Sequence, residues 1–274
     1  MPLSGNLSIV FTDDGSHTLY VPKLREHYHS TFGAITESQH IFIETGFRKA
    51  LEQFMTHNLR ITISPPSSIL HRERSDLYPA SEAQRPFIGN EATLTQHQER
   101  SGSELTVLEI GFGTGLNALL TQIEAEKQGI SVHYTSIEAF PLEETIWSRL
   151  NYPQNFCSAD YTRVYRRLHL VEWDREEEIS KYFILHKIHQ TVQESEMVPD
   201  RYHLIYYDAF GPEVQPELWS EAIFQKLYQA MKPGGILVTY SVKGTIVRAL
   251  KAAGFKTEKL SGPPGKRHIL RAVK

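Results

Sequence analysis

The chain has 274 residues, 40% of them hydrophobic, and a net charge of −3. That suits one large domain or one domain plus a small appendage, needs no disulfide or metal staple, and speaks against broad nonspecific binding to nucleic acid while leaving room for a local basic face. The single cysteine, Cys157, excludes an internal disulfide and any C-x-x-C zinc site; no apolar run approaches the roughly 18 residues of a membrane span, and the N-terminus has no signal-peptide pattern, so a cytoplasmic protein is expected.

Taken in order, SIVFTDDGSHTLYVP reads as two short strands around an Asp14-Gly15 turn. Residues 35–42, ITESQHIF, resemble a capped helix start, and Phe47, Ala50, Leu51 and Phe54 follow at helical spacing. Residues 1–60 therefore form a small N-terminal strand and helix subdomain. Residues 61–104 are expected as a polar surface insertion, rich in Pro, Ser, Glu, Gln and Arg, with ITIS at 61–64 as a possible strand. From 105 to 274 strands and helices alternate. LTVLEI (105–110), SVHYTSIEAF (131–140), KYFILHKIH (181–189), YHLIYYDAF (202–210) and GILVTYS (235–241) read as strands, and KTEKLS and RHILRAV close the chain as an antiparallel pair. PLEETIWSRLNY, the charged WDREEEIS stretch, residues 216–232 and KGTIVRALKAAGF read as helical, the last closed by Gly254. Seven strands alternating with helices give a doubly wound, mostly parallel α/β sheet.

The chemistry centres on LTVLEIGFGTGLNALL (105–120). A buried strand meets three alternate glycines, Gly111, Gly113 and Gly115, and then a helix begins. This is the nucleoside-binding corner of a doubly wound sheet: glycine lets the backbone turn sharply and approach a ligand, and the helix start offers free N–H groups. The dinucleotide pattern G-x-G-x-x-G fails because position 116 is leucine, and no lysine follows to make a P-loop. What remains is E-x-G-x-G-x-G, with the carboxylate of Glu109 placed to face a cationic or amine-bearing ligand. This pattern resembles motif I of the S-adenosylmethionine (SAM) methyltransferases. It implies a Rossmann-like fold and SAM as cofactor, held by Glu109, Gly111, Phe112, Gly113, Thr114, Gly115 and Asn117.

Ligands of open α/β sheets sit outside the carboxyl ends of the strands, and two further acids fall there. Glu138 ends the second strand, where a carboxylate can accept both hydroxyls of a ribose. Asp208 ends the fourth, an apolar strand, and can hold an amine nucleophile and take its proton. Phe210 offers a face for stacking a base, and Gly211-Pro212 gives a fixed turn. The plainer alternative for Asp208 is a loop or helix-capping acid.

Four blocks make the resemblance specific. HYHS with ITESQHIFIE (27–44), EIGFGTGLN (109–117), SIEAFPL (136–142) and DAFGPEVQPELW (208–219) are similar to the MnmC-type methyltransferases, and the tail follows the same pattern. That family methylates the amine of 5-aminomethyl-2-thiouridine at the wobble position of tRNA. The resemblance implies SAM held also by Glu138 and Asp208, with Asp208 and Phe210 as catalytic residues. It implies a substrate side formed by Tyr28, Ser30, Phe210, Pro212, Lys243, Lys266 and Arg267, the tRNA anticodon stem-loop as partner, and no metal. Arg163, Arg166 and Arg167 make a second basic cluster. The family's third-strand Gly-Asp is missing near Ile188-His189, which leaves backbone groups or Gln190 to read adenine; Asp160 is not its equivalent. Some members carry a flavin oxidase domain; with the chain ending at Lys274, a stand-alone methyltransferase is expected, dependent on other enzymes for the aminomethyl intermediate. A SAM enzyme acting on another RNA base or a small amine, and a non-catalytic RNA-binding module, are the alternatives.

Overall fold

A computed structural model describes residues 7–63, 104–158 and 160–274. The chain opens with β1 (Ser8–Phe11), β2 (His17–Val21) and β3 (Glu26–His27), a small antiparallel sheet. Asp14, in the β1–β2 turn, reaches across to the start of α1 (Ala34–Ser38). Its carboxylate accepts hydrogen bonds from the Thr36 N–H and Oγ1, both at 2.9 Å. It thus caps a helix that has no side-chain cap of its own. Hydrogen bonds from Ser16, Thr36 and Thr12 overcome its burial and hold its pKa down at about 2. A π-helical stretch, Gln39–Phe47, leads into α2 (Arg48–Ile63).

The large sheet comprises β4 (Leu105–Ile110), β5 (Val132–Ile137), β6 (Glu176–Ser180), β7 (Phe183–Ile188), β8 (Tyr202–Tyr207), β9 (Met231–Thr239), β10 (Lys256–Ser261) and β11 (His268–Val273), in the order β10-β11-β9-β8-β4-β5-β7-β6. Helices α3 (Leu116–Gln128), α4 (Glu144–Trp147), α5 (Asp160–Leu170), α6 (Glu221–Ala230) and α7 (Gly244–Ala252) connect them. Pairings among β7, β5, β4, β8 and β9 are parallel, and β11 runs antiparallel between β9 and β10. Strand order reverses at β4, so the crevice between the ends of β4, β5 and β8 is the switch point where such sheets bind ligands.

The sheet has eight strands, not seven. The extra one is EEEIS, which pairs antiparallel with β7 as an edge strand where a charged helix was expected. Its glutamates suit an exposed edge, because charge there discourages pairing with another chain. Ile179 turns inward and is buried. The helix expected over PLEETIWSRLNY is only the short α4 followed by a 3-10 turn at Tyr152–Asn155. The helix expected over 216–232 is a 3-10 turn, Pro216–Trp219, and then α6, separated by Ser220 in an extended conformation. ITIS is not a strand: its first three residues continue α2 to Ile63. The rest of the expected insertion, up to residue 103, lies outside the described residues.

The N-terminal elements and the sheet bury one common core. Ile41, Phe42, Ile43, Phe47, Ala50 and Phe54 belong to the same apolar cluster as Val107, Leu119, Tyr206 and Val238. Phe42 is 1% exposed, and its ring lies 5.1 Å from that of Tyr206 on β8. Phe42→Ala should therefore cost about 3–5 kcal/mol. Urea unfolding followed by circular dichroism should show the loss in the whole transition, not in a separate N-terminal step.

Candidate active site

A cavity of about 740 Å³ opens over the carboxyl ends of β4, β5, β7 and β8, within the range of small-molecule and cofactor sites. The glycine turn forms its floor. Gly111 takes φ +94, and a Cβ there would meet the Asp208 carbonyl at 3.1 Å. Glycine therefore lets the ends of β4 and β8 approach closely. The turn is bonded on every side. Glu138 Oε2 accepts from the Gly113 N–H at 2.9 Å, and its Oε1 accepts from the Phe140 N–H at 2.8 Å. The Thr114 carbonyl accepts from Tyr165 Oη at 2.8 Å and from His169 Nε2 at 3.2 Å, and Thr114 Oγ1 shares a 2.7 Å hydrogen bond with His29 Nε2.

Burial keeps both imidazoles neutral. It lowers the pKa of His29 to about 4 and that of His169, with help from the Lys187 charge, to about 3. Lys187 is itself buried. Its ammonium donates to the His169 carbonyl at 2.7 Å and lies 4.5 Å from the Trp173 ring centroid, and burial lowers its pKa to about 8. His29, Tyr165, His169 and Lys187 were not singled out from sequence. His29 lies inside the HYHS block, but nothing in its spacing marks a loop clamp.

Of the residues expected to hold a cofactor, Gly111, Phe112, Gly113, Thr114, Asn117, Glu138 and Asp208 line the cavity. Gln190 lines it at the end of β7, followed by Thr191 and Val192. Gly115 lies behind the turn, where it caps α3. Expected to face the ligand, Glu109 instead lies beneath the floor, 0% exposed. One of its oxygens accepts from Ser136 Oγ at 2.7 Å, and the other has no hydrogen-bond partner among the described residues. A strand residue pointing into the sheet's packed face cannot also reach the pocket above the strand end. Burial drives its pKa well above the usual carboxylate range, with the Asp208 charge adding to the effect.

The substrate end is built from Asp208, Phe210, Tyr28, Ser30 and Lys266, all lining the same cavity. Asn117 Nδ2 donates to Asp208 Oδ2 at 2.9 Å. Burial first, and then the charge of Glu37, raises the Asp208 pKa well above its ordinary value, opposed by the Asn117 hydrogen bond and Lys266. The Tyr28 and Phe210 rings meet edge to face, 5.0 Å apart. Tyr240 Oη donates to the Ala209 carbonyl at 2.9 Å and fixes the turn after Asp208. Glu37, not anticipated here, joins the two lips: it accepts from the Ser30 N–H at 2.7 Å and pairs with Lys266 at 3.2 Å. Pro212, Lys243 and Arg267 do not line the cavity; Lys243 pairs with Glu213 beside it, and Arg267 is exposed on the hairpin before β11. The second basic cluster is engaged elsewhere. Arg163 pairs with Asp160, Arg166 with Glu144, and Arg167 donates to the Glu178 carbonyl. Among the described residues no cluster of His, Cys, Asp or Glu could hold a metal, and no helix is long and apolar enough to cross a membrane.

The residues fit SAM. Gly113 and Glu138 form a cradle at the nucleoside end, and Asn117 lines the same cavity beside Asp208. The architecture is Rossmann-like, and the cradle has the residues to hold SAM. A family model described as S-adenosyl-L-methionine-dependent methyltransferase matches residues 154–274. The chain is also similar to proteins of the MnmC type. The tRNA 5-methylaminomethyl-2-thiouridine biosynthesis bifunctional protein MnmC of Ectopseudomonas mendocina is 26% identical over 78% of this chain and 34% of that protein. Its counterpart in Leptospira borgpetersenii is 28% identical over 69% of this chain and 30% of that protein. The chain thus spans about a third of the length of these curated relatives. The crystal structure of MNMC2 from Aquifex Aeolicus superposes with a TM-score of 0.63 over 98% of this chain and 70% of that one, at 22% identity.

The buried Glu109 gives a stability signature. Its pKa is raised on folding, so the folded state holds the proton more tightly than the unfolded chain. Stability is then fully present below the unfolded carboxyl pKa, and it falls as pH rises from there through the raised folded value. Glu109→Gln should flatten this fall and leave the protein at least as stable at neutral pH, as measured by denaturant midpoints across a pH series.

Proposed function

We propose that the protein transfers the methyl group of SAM to the aminomethyl nitrogen of 5-aminomethyl-2-thiouridine at the wobble position of tRNA. The observation that carries this reading is Asp208, half-buried at the end of β8, with an aromatic pair, Phe210 and Tyr28, at the same end of the cavity. A carboxylate beside aromatic faces suits an amine carried on a planar base. The MnmC relatives are named for biosynthesis of 5-methylaminomethyl-2-thiouridine in tRNA, which supplies the acceptor.

SAM supplies a methyl group already activated on a sulfonium, so the chain's task is alignment and proton management. Glu138, with both oxygens anchored to backbone N–H groups, keeps lone pairs for the ribose hydroxyls. Asn117, whose Nδ2 donates to Asp208, would hold that carboxylate in place from the cofactor side. Gln190 and the backbone that follows it read the adenine. Asp208 would pair with the substrate ammonium and take one of its protons, leaving a neutral amine as the nucleophile. The raised pKa of Asp208 suits a carboxylate that must hold a proton during the transfer. With SAM bound, the N–CH3 bond would form as the sulfonium S–CH3 bond breaks, leaving S-adenosylhomocysteine as the neutral thioether and the positive charge on the methylated amine, and Asp208 would release its proton to solvent. Phe210 and Tyr28 hold the uracil, which has to leave its anticodon stack to reach the cavity. Residues 1–60 supply one lip of the acceptor end, and residues 105–274 supply the donor site and the other lip. The reaction belongs in the cytoplasm, after an enzyme that delivers the aminomethyl group.

Nucleoside mass spectrometry of tRNA from a strain lacking the chain tests the reading: 5-aminomethyl-2-thiouridine should accumulate, and an unchanged wobble-uridine profile would sink it. For the mechanism, Asp208→Asn should leave the SAM Kd within about threefold while lowering kcat by roughly 10²–10⁴. Near-normal turnover would refute the role given to Asp208.

A further inference from the structure

We propose that Phe32 is a stacking platform for the base next to the uridine that enters the cavity. This rests on the reading above, in which the acceptor is one nucleotide of a single-stranded loop.

Phe32 ends the loop that carries Tyr28 and Ser30, and it lines the same cavity as Asp208. Where Tyr28 and Phe210 are half-buried, the Phe32 ring is 52% exposed, at the mouth. Single exposed apolar residues are common and need no explanation; two features set this one apart. The first is its seat. The ring lies directly on the backbone of Gly265, where a Cβ would come within 2.2 Å of the ring Cδ2. Gly265 has φ +82, so only glycine fits that position without strain. The ring therefore packs against that backbone, and its loop is tied down: the Phe32 N–H donates to Ser30 Oγ at 3.2 Å, and the Thr31 carbonyl accepts from the Asp13 N–H at 2.9 Å. The second feature is charge. Gly265 is followed by Lys266, which lines the cavity and pairs with Glu37, and by the exposed Arg267, whose side chain makes no ion pair or hydrogen bond among the described residues.

An exposed aromatic ring on an anchored loop beside a cation is a pattern that single-stranded nucleic acids recognise: the ring takes a base, and Arg267 takes the phosphate that links it to the next nucleotide. The location also answers a cost. Extruding the target uridine breaks its stacking on its neighbours. A ring at the cavity mouth restacks the neighbour left uncovered. Phe210 and Tyr28 lie deeper and serve the extruded base itself.

A double-mutant cycle tests this. Binding of an anticodon stem-loop containing 5-aminomethyl-2-thiouridine is measured with wild type, Phe32→Ala and Phe32→Tyr. Each is tested on the intact RNA and on RNAs with an abasic site immediately 5′ or 3′ of the modified uridine. Phe32→Ala should weaken binding of the intact RNA about tenfold or more, with the SAM Kd unchanged, and Phe32→Tyr should restore it. One of the two abasic RNAs should bind wild type more weakly by a similar factor and lose nothing further with Phe32→Ala. If wild type methylates the intact stem-loop but Phe32→Ala binds it normally, or its loss multiplies independently with both abasic losses, the platform is overturned while the enzyme assignment stands. A wild type that methylates no such stem-loop would overturn the underlying reading and the platform with it.

Discussion

The whole site depends on the immobilisation of the glycine turn at 111–115. Glycine-rich backbone costs more conformational entropy to order than any other sequence. Three separate parts of the chain supply the compensation. Glu138 holds the Gly113 N–H from the end of β5, Tyr165 and His169 hold the Thr114 carbonyl from α5, and His29 holds the Thr114 hydroxyl from the N-terminal sheet. The buried Lys187 then fixes the His169 backbone. Each partner is itself buried or locked by a second bond, so the turn presents a rigid surface to the cofactor. The clamp also explains why the N-terminal elements share the core of the sheet: His29 can reach Thr114 only if the segment that carries it is fixed.

Three carboxylates along the switch point divide the electrostatic work by depth. Glu109 lies under the floor, fully buried, and burial raises its pKa well above the usual carboxylate range. Glu138 is anchored by N–H groups at the nucleoside end. Asp208 stands at the boundary between the two ends, joined to the cofactor loop through Asn117 and facing the aromatic pair. Burial and then the Asp208 charge raise the pKa of Glu109, and burial and then the Glu37 charge raise that of Asp208. Glu37 and Lys266, paired across the lips, complete the balance at the acceptor end.

Much of this was legible in the sequence. The glycine turn, the strand-end positions of Glu138 and Asp208, the Asp14-Gly15 hairpin and the antiparallel closing strands all have local signals: turn chemistry, apolar runs and spacing. What was not legible required three-dimensional neighbours. Whether Glu109 faces the ligand or the core depends on which face of β4 is packed, and a strand buried on both faces carries no alternation to reveal it. EEEIS was read as a helix because glutamates favour helices locally, and only the available edge of β7 makes it a strand. His29 and His169 gave no motif, since their partners are backbone and hydroxyl groups far away in sequence. The basic residues were the least legible: charge alone does not tell Lys266, which lines the cavity, from Arg163, which pairs on a distant surface.

The central claim is that one cavity holds an activated methyl at its glycine end and receives an amine on a flipped uridine at its Asp208 end. It is tested most directly by incubating the purified protein with SAM and an anticodon stem-loop bearing 5-aminomethyl-2-thiouridine, then mapping the product nucleoside by tandem mass spectrometry. The account predicts one added methyl on the aminomethyl nitrogen, and none on a matched stem-loop whose uridine lacks the aminomethyl group. Methylation of the unmodified loop, or at any ring position, would contradict it.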